Sequence, residues 1–440
     1  MSDQAILRIT REIKQIQQGA DLSLAVSYED SDVRHVRALI LGPPDTPYQF
    51  GFFEFLIKFG REYPTEPPTV RALTTNRGRT RFNPNIYASG RICLSILGTW
   101  RGEPGEQWSS AQCLESILIS IQSLMSSNPY ENEPGYENSN SPGDKQNMEN
   151  YVAKIRHETL RLAVIEPLES SLNIVPERDM DSLAGRPSES DDQLLYEDRP
   201  SFEPFVDFRK RRFLWYYEPY MQSIAAAEAE HSRKAKFQRM PFEANGNGMD
   251  GHFDYTELRR RMVVIKDMIL DETHNWAGEG LIAKEQERGI AASLQRQYEQ
   301  IVESLKRQKN ITVNLHLLGE NPFKWKLTYF GRPMTHLDGG MFNVLIYLSP
   351  RFPEEQPRVF METPFYHIRV SKEQVLCYIP KRTDDMRYHV EGIIASLEEE
   401  HPPFDPRTTV NPEATKLFWG TPEDRKKYNR ELRRAVERTL

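Results

Sequence analysis

The chain has 440 residues, 38% of them hydrophobic, and a net charge of −7, which allows two or three domains with real cores. No apolar run approaches the ~18 residues of a membrane-spanning helix, and the mild acidity argues against nucleic acid as a main partner. Three cysteines, Cys93, Cys113 and Cys377, are too few for a disulfide framework or a cysteine-rich zinc site and fit a reducing compartment.

The opening stretch, MSDQAILRITREIKQ, lacks a basic segment followed by an apolar one, so no secretory signal is expected and the cytoplasm is the expected location. Ile6, Ile9, Ile13 and Ile16 recur at spacings of three and four, which predicts an amphipathic helix over 1–18. Residues 22–59 predict short strands: LSLAVSYED, VRHVRALILG and FFEFLIKFG are β-rich and separated by turn chemistry. Gly42-Pro43-Pro44-Asp45-Thr46-Pro47 is a turn, because proline pre-sets φ and Asp bonds its own backbone. Tyr63-Pro64 and Pro67-Pro68 break any helix there. Residues 110–126 predict a largely buried helix, and 148–172 a second one.

Residues 173–204, rich in Pro, Asp, Glu and Ser, read as a mobile linker or surface excursion. A helix is expected over 205–240, a loop over 241–252, and helices over 254–308 with a break near Trp276-Ala277-Gly278. In the first of these, Arg209-Lys210-Arg211-Arg212 reads as a solvated helix face whose stems cover apolar neighbours, with a nuclear signal or anion patch as the alternative. Phe205, Phe208, Phe213, Trp215, Tyr216 and Tyr217 read as packing between domains. No phosphate-binding loop or metal-ligand spacing appears, so neither cofactor nor metal is expected.

The end of the chain repeats its beginning. Gly42, Pro44, Gly51 and Phe53 return at a constant displacement of 289 residues as Gly331, Pro333, Gly340 and Phe342. Tyr63-Pro64, Pro68 and Val70 return at the same displacement as Phe352-Pro353, Pro357 and Val359. Cys93 then matches Cys377 after a five-residue shortening. One displacement held over such mixed residues marks an internal duplication. The chain is therefore read as two copies of one α+β domain, 1–172 and 289–440, joined by a largely helical 173–288.

Taken alone, Cys93 in Ile-Cys-Leu-Ser-Ile-Leu reads as a small buried hydrophobe. Its flank, Asn83-Pro84-Asn85-Ile86-Tyr87-Ala88-Ser89-Gly90, is turn-forming and polar, and a cysteine reached from such a loop can be partly exposed, as a nucleophile must be. No histidine is near in sequence to act as base; the nearest is His35. Acyl transfer between thiols needs little activation, since exchange is fastest when the thiol pKa lies near ambient pH and a free Cys is at about 8.5. Such a site does need a donor for the oxyanion, and the side-chain amide of Asn85, eight residues before Cys93, is the candidate. Asn85 is equally a turn residue, and the roles are compatible. Cys113 opens an apolar helix and reads as structural.

These residues carry a resemblance. Gly42-Pro43-Pro44-Asp45-Thr46-Pro47-Tyr48, Tyr63-Pro64-Thr65-Glu66-Pro67-Pro68, Pro84-Asn85 eight residues before Cys93, and Trp108-Ser109 resemble, in order and spacing, the ubiquitin-conjugating enzymes over about residues 3–165. Asn83 where most members have His, Cys93 through Trp100, and Asn128-Pro129-Tyr130 with Asn132-Glu133-Pro134-Gly135-Tyr136 resemble the Z-type branch and the conjugating domain of the giant inhibitor-of-apoptosis-repeat protein. The resemblance implies the ubiquitin-conjugating-enzyme fold, an antiparallel four-stranded sheet with flanking helices, present twice. It implies that Cys93 accepts ubiquitin, or a ubiquitin-like protein, from an activating enzyme as a thioester and passes it to a lysine or a ligase. Asn85 would stabilise the oxyanion or hold the loop, and Glu133 before Pro134 would orient the incoming lysine. Thr65 and Glu66 stand where many members carry Phe, and Ser110-Ala111 where they carry Pro-Ala, which implies a non-standard ligase-docking surface.

In the second copy His367 lies ten residues before Cys377, and Ile368 and Arg369 replace Pro and Asn. From cysteine to the Pro129 or Pro402 position the loop shortens from 36 residues to 25. Cys377 reads as a relic in a copy that binds or regulates; a second thioester site at Cys377 with His367 is the alternative. A further alternative for the whole chain is a scaffold that binds ubiquitin without chemistry.

Overall fold

The structure, a computed structural model, describes residues 3–19, 21–29, 31–103, 105–174, 202–243, 248–286, 289–308 and 312–439. Residues 175–201, most of the expected 173–204 linker, lie outside the described residues. The chain forms two compact units, residues 1–209 with 224–262, and residues 210–223 with 263–440.

The first unit opens with helix α1 (Asp3–Gln18). Ile9, Ile13 and Ile16 face the core, whereas Ile6, expected on that face, is 39% exposed one turn from the end. Buried Glu12 ties three segments: it takes Arg8 at 2.7 Å, the Tyr63 hydroxyl at 2.7 Å and the Leu114 N–H at 3.0 Å. Strands β1 (Leu24–Tyr28), β2 (His35–Leu41), β3 (Phe52–Lys58) and β4 (Thr69–Ala72) form an antiparallel meander in the order 1-2-3-4. β2 is buried on both faces except at His35, which suits its apolar run and its place inside the sheet. Between β2 and β3, Gly42 N–H donates to the Gly51 carbonyl at 2.8 Å, and a Cβ on Gly42 would lie 1.8 Å from the Tyr48 carbonyl oxygen, so only glycine fits.

Helix α2 (Leu114–Ser123) buries Leu114, Ile117, Leu118 and Ile121 against the sheet core. Cys113 is its N-cap, partly buried, as expected of a structural residue. The expected helix at 148–172 is longer: α3 (Pro142–Glu158) runs through a wide π turn (Thr159–Ile165) into α4 (Glu166–Ser171).

The second unit repeats the plan. Helix α7 (Gly289–Arg307) precedes β5 (Val313–Leu317), β6 (Lys324–Phe330), β7 (Met341–Tyr347) and β8 (Arg358–Met361), again an antiparallel 5-6-7-8 meander. Helices α8 (Met386–Glu398), α9 (Pro412–Phe418) and α10 (Pro422–Glu437) follow. Gly331 repeats the close approach of Gly42: its N–H donates to Gly340 at 2.9 Å, and a Cβ would lie 1.7 Å from the Leu337 oxygen. Both Tyr63–Pro64 and Phe352–Pro353 are cis. The expected α+β plan, an antiparallel four-stranded sheet with flanking helices, is thus present twice.

Three expectations for the middle need correction. Helix α5 (Val206–Glu230) ends ten residues before the expected boundary at 240. Helix α6 (Tyr255–Glu285) runs unbroken through Trp276-Ala277-Gly278. One of its glycines serves packing: a Cβ on Gly280 would lie 2.3 Å from the Phe323 ring, and Asn321 donates to the Ala277 carbonyl at 2.9 Å. The basic run is not a solvated face either. Arg209, Lys210 and Arg212 are 2%, 4% and 5% exposed. Acids and a ring explain it: Arg209 pairs with Glu54, Lys210 meets Glu272 at 2.7 Å, and Arg212 lies 4.3 Å from the Trp215 ring centroid. The described part of 173–288 is divided between the two units rather than forming a body of its own.

After α5 the chain turns back onto α3 as a strap, described over 231–243 and 248–254. Lys154, fully buried, donates to Glu243 at 2.5 Å and to the Gln238 carbonyl at 3.2 Å, while Glu243 also accepts the Met240 N–H at 2.8 Å. Removing one member of such a pair leaves a buried charge uncompensated. Glu243→Ala is therefore expected to lower unfolding free energy by about 3–5 kcal/mol in urea titration, with Lys154→Met/Glu243→Leu recovering most of it. A single variant within about 1 kcal/mol of the parent would show the pair to be unimportant.

Candidate active site

The loop from β4 to α2 carries the first cysteine, and its shape follows from three asparagines. Asn83 is completely buried. Its amide donates to the Tyr48 hydroxyl at 3.1 Å and to the Leu124 carbonyl at 2.8 Å, and its oxygen accepts the Asn85 N–H at 2.9 Å. Asn132 donates to the same Leu124 carbonyl at 3.0 Å and to the Asn83 oxygen at 3.3 Å. Asn85 then faces the cysteine twice: the Cys93 N–H donates to the Asn85 carbonyl at 2.9 Å, and the Asn85 amide donates to the Cys93 carbonyl at 3.1 Å. Beyond the cysteine, Thr99 donates to the Ile92 carbonyl at 2.6 Å and accepts the Leu94 N–H at 3.0 Å, closing a tight turn with Gly98 at φ 65°.

The chain of polar contacts thus runs from the core to Cys93 through Asn83 and Asn85. Cys93 itself is only 6% exposed, less than the loop sequence suggested. Its neighbours Ile92, Ile96 and Leu97 all sit in the core, and they draw the cysteine inward with them.

Glu133, the expected lysine-orienting acid, is paired. Its carboxylate accepts from Arg81 at 3.0 Å, and Arg81 also donates to the Pro84 carbonyl at 2.5 Å and lies 4.6 Å from the Tyr87 ring centroid. Arg81 is 4% exposed, so this pair fixes the wall of the loop. Sequence reasoning missed Arg81, because nothing local distinguishes an arginine two residues before Asn83. Trp108 donates to the Pro64 carbonyl at 2.9 Å and packs on Tyr63, joining two of the motifs. Thr65 and Glu66 are both exposed, so the face between those motifs is polar.

The second unit keeps this frame with different side chains around it. Cys377 N–H donates to the Arg369 carbonyl at 2.8 Å, and Arg369 N–H donates to His367 Nδ1 at 3.2 Å, matching the Asn85 and Asn83 contacts. Arg369 sends its guanidinium to Glu399, with Nε at 3.1 Å. His367 is stacked flat on Phe365 at 5.2 Å, and burial, with His336 and Arg369 nearby, pushes its pKa down to about 3, so it is neutral. Cys377 is 0% exposed, and burial pushes its thiol up to about 11 despite the pull of Arg369. Near neutral pH the Cys377 thiol therefore stays protonated, and it is covered. Iodoacetamide is therefore expected to label Cys377 only after denaturation; rapid labelling of the folded protein, read by mass spectrometry, would contradict the buried site.

Among the described residues no group of three or more His, Cys, Asp or Glu is placed to hold a metal, and no helix is long and apolar enough to cross a membrane.

Comparison with known proteins bears on this arrangement. The sequence model of the family described as "Ubiquitin-conjugating enzyme" matches residues 8–159 and again 293–435. The human protein named "Ubiquitin-conjugating enzyme E2 Z" is 38% identical over 272 residues, 62% of this chain and 66% of its own length. The zebrafish (Danio rerio) protein of the same name is 49% identical over 172 residues, 39% of this chain and 51% of its own. The human "Dual E2 ubiquitin-conjugating enzyme/E3 ubiquitin-protein ligase BIRC6" is 42% identical over 149 residues, 33% of this chain and 3% of that one. The chain thus spans just under two thirds of the human E2 Z protein and about half of the zebrafish one. A solved ubiquitin conjugating enzyme E2 domain from Toxoplasma gondii is 28% identical, covering 36% of this chain and 98% of its own, with a TM-score of 0.28.

Proposed function

The chain belongs to the ubiquitin-conjugating enzyme family, and from that premise we propose that its first unit carries ubiquitin, or a ubiquitin-like protein, as a thioester on Cys93. The Cys93 thiolate attacks the carbonyl of the thioester held by an activating enzyme, a new C–S bond forms, and the activating enzyme's cysteine leaves as thiolate. A lysine amine, or a ligase thiol, then attacks the Cys93 thioester. The C–S bond breaks, Cys93 leaves as thiolate, and in the lysine case the amine gives up its proton as the isopeptide bond forms. Asn85 is the residue proposed to steady the oxyanion or the loop when the lysine attacks. Glu133, one-fifth exposed and tied to Arg81, is the carboxylate proposed to face the incoming amine.

The observation that supports this reading best is the paired Asn85–Cys93 contact, carbonyl to N–H and amide to carbonyl, eight residues apart. The second unit, with Cys377 sealed, is proposed to bind or regulate. The cytoplasm suits three free cysteines. The burial of Arg209, Lys210 and Arg212 adds no support for a nuclear signal. Incubation with an activating enzyme, ATP and ubiquitin, followed by a non-reducing gel, is expected to show a thiol-sensitive adduct. Absence of any adduct with every activating enzyme and ubiquitin-like protein tried would reject the reading.

A further inference from the structure

The strap lies outside both stretches that match the family, yet one of its side chains reaches the wall of the candidate site. Phe242 sits in a cage of three tyrosines, with ring centroids 5.2 Å from Tyr130, 5.5 Å from Tyr136 and 5.6 Å from Tyr151. Tyr130 and Tyr136 flank the short loop that carries Asn132 and Glu133, and they touch each other at 5.2 Å. Arg81, the partner of Glu133, lies 6.0 Å from the Phe242 ring centroid. The strap is held at this place by the buried Lys154–Glu243 pair and by Met240 and Met249 in the core.

We infer that Phe242 is a positioning residue for aminolysis: it holds the 130–136 loop, and with it Glu133 and Asn132, in the register the incoming lysine meets. The inference rests on the proposed thioester at Cys93. The physical reason is directional. Ring contacts, edge-on at Tyr136 and Tyr151 and tilted at Tyr130, fix ring orientation as well as distance. With the fourth ring removed, Tyr130 and Tyr136 lose the face they pack on, and the loop between them is free to shift. Asn132 then loosens its hold on the Asn83 oxygen that also sets Asn85, at 3.3 Å and 2.9 Å respectively. Loading from the activating enzyme is a thiol exchange that depends chiefly on the cysteine itself. Attack by a lysine depends on the wall beside it, so discharge is the step that suffers more.

The test is single-turnover discharge of the purified full chain to free lysine, alongside loading. Phe242→Ala is expected to slow discharge roughly 10–100-fold relative to loading, the scale of a reacting group misplaced by about 1 Å. Phe242→Tyr, which keeps the ring, should restore it. Should the alanine variant fold poorly, Phe242→Leu keeps a large apolar side chain in the cage while removing the ring, and the same excess loss of discharge is expected. Discharge and loading falling by one common factor, or discharge at the parental rate, would overturn the inference. A parental protein that forms no thioester at all would instead overturn the Cys93 reading on which it rests.

Discussion

Cys93→Ala is expected to abolish the thiol-sensitive adduct completely, and Cys377→Ala to leave it intact. The two cysteines share a backbone frame, each donating its N–H to a carbonyl eight residues upstream, at 2.9 Å and 2.8 Å. They differ in what surrounds the sulfur. Cys93 has a side-chain amide beside its carbonyl and is 6% exposed; Cys377 is 0% exposed, with its thiol pushed up to about 11 by burial. A thiol must reach its thiolate form and an electrophile to exchange, and Cys377 is denied both. Cys93→Ser sharpens the measurement: an oxyester on serine survives reductant, so the adduct should become resistant to thiols at the same position. An adduct that persists in Cys93→Ala and vanishes in Cys377→Ala would reverse the assignment of the two units.

Asn85→Ala is expected to slow discharge to free lysine by roughly 100–1,000-fold while still permitting loading, the loss seen when one oxyanion donor is removed from an acyl-transfer site. In the structure the Asn85 amide is spent on the Cys93 carbonyl at 3.1 Å. Two roles are therefore separable. As an oxyanion donor the amide must turn toward the thioester, and Asn85→Asp, equal in size but accepting only, should be at least as damaging as alanine. As a clamp on the loop, its loss removes one ordinary hydrogen bond, about 0.5–1.5 kcal/mol, and the discharge defect should remain within about tenfold. Thermal unfolding measured beside the discharge rate tells the two apart. Unchanged discharge would remove Asn85 from the mechanism.

Much of this molecule was legible in its sequence. Isoleucines spaced by three and four marked α1, and β-rich runs separated by turn residues marked the strands, because side-chain periodicity follows directly from backbone geometry. The duplication was legible too, since Gly42 and Gly331 each occupy a place where no Cβ fits. The Asn85–Cys93 spacing could be read because the contact closes within a single loop, eight residues from end to end.

What only the tertiary structure decided depends on partners far along the chain. Glu133 gains its arginine across 52 residues, and Lys154 its glutamate across 89. The basic run 209–212 looked like a solvated face because charge is normally kept in water, and only the acids folded against it make its burial tolerable. Trp276-Ala277-Gly278 looked like a break because glycine weakens an isolated helix, whereas at nearby Gly280 the Phe323 ring occupies the space a Cβ would take. Local pattern fixes elements and close spacings; the environment of a side chain is set by whichever distant residues the fold brings to it, and that decided which cysteine is sealed and which ring braces the loop.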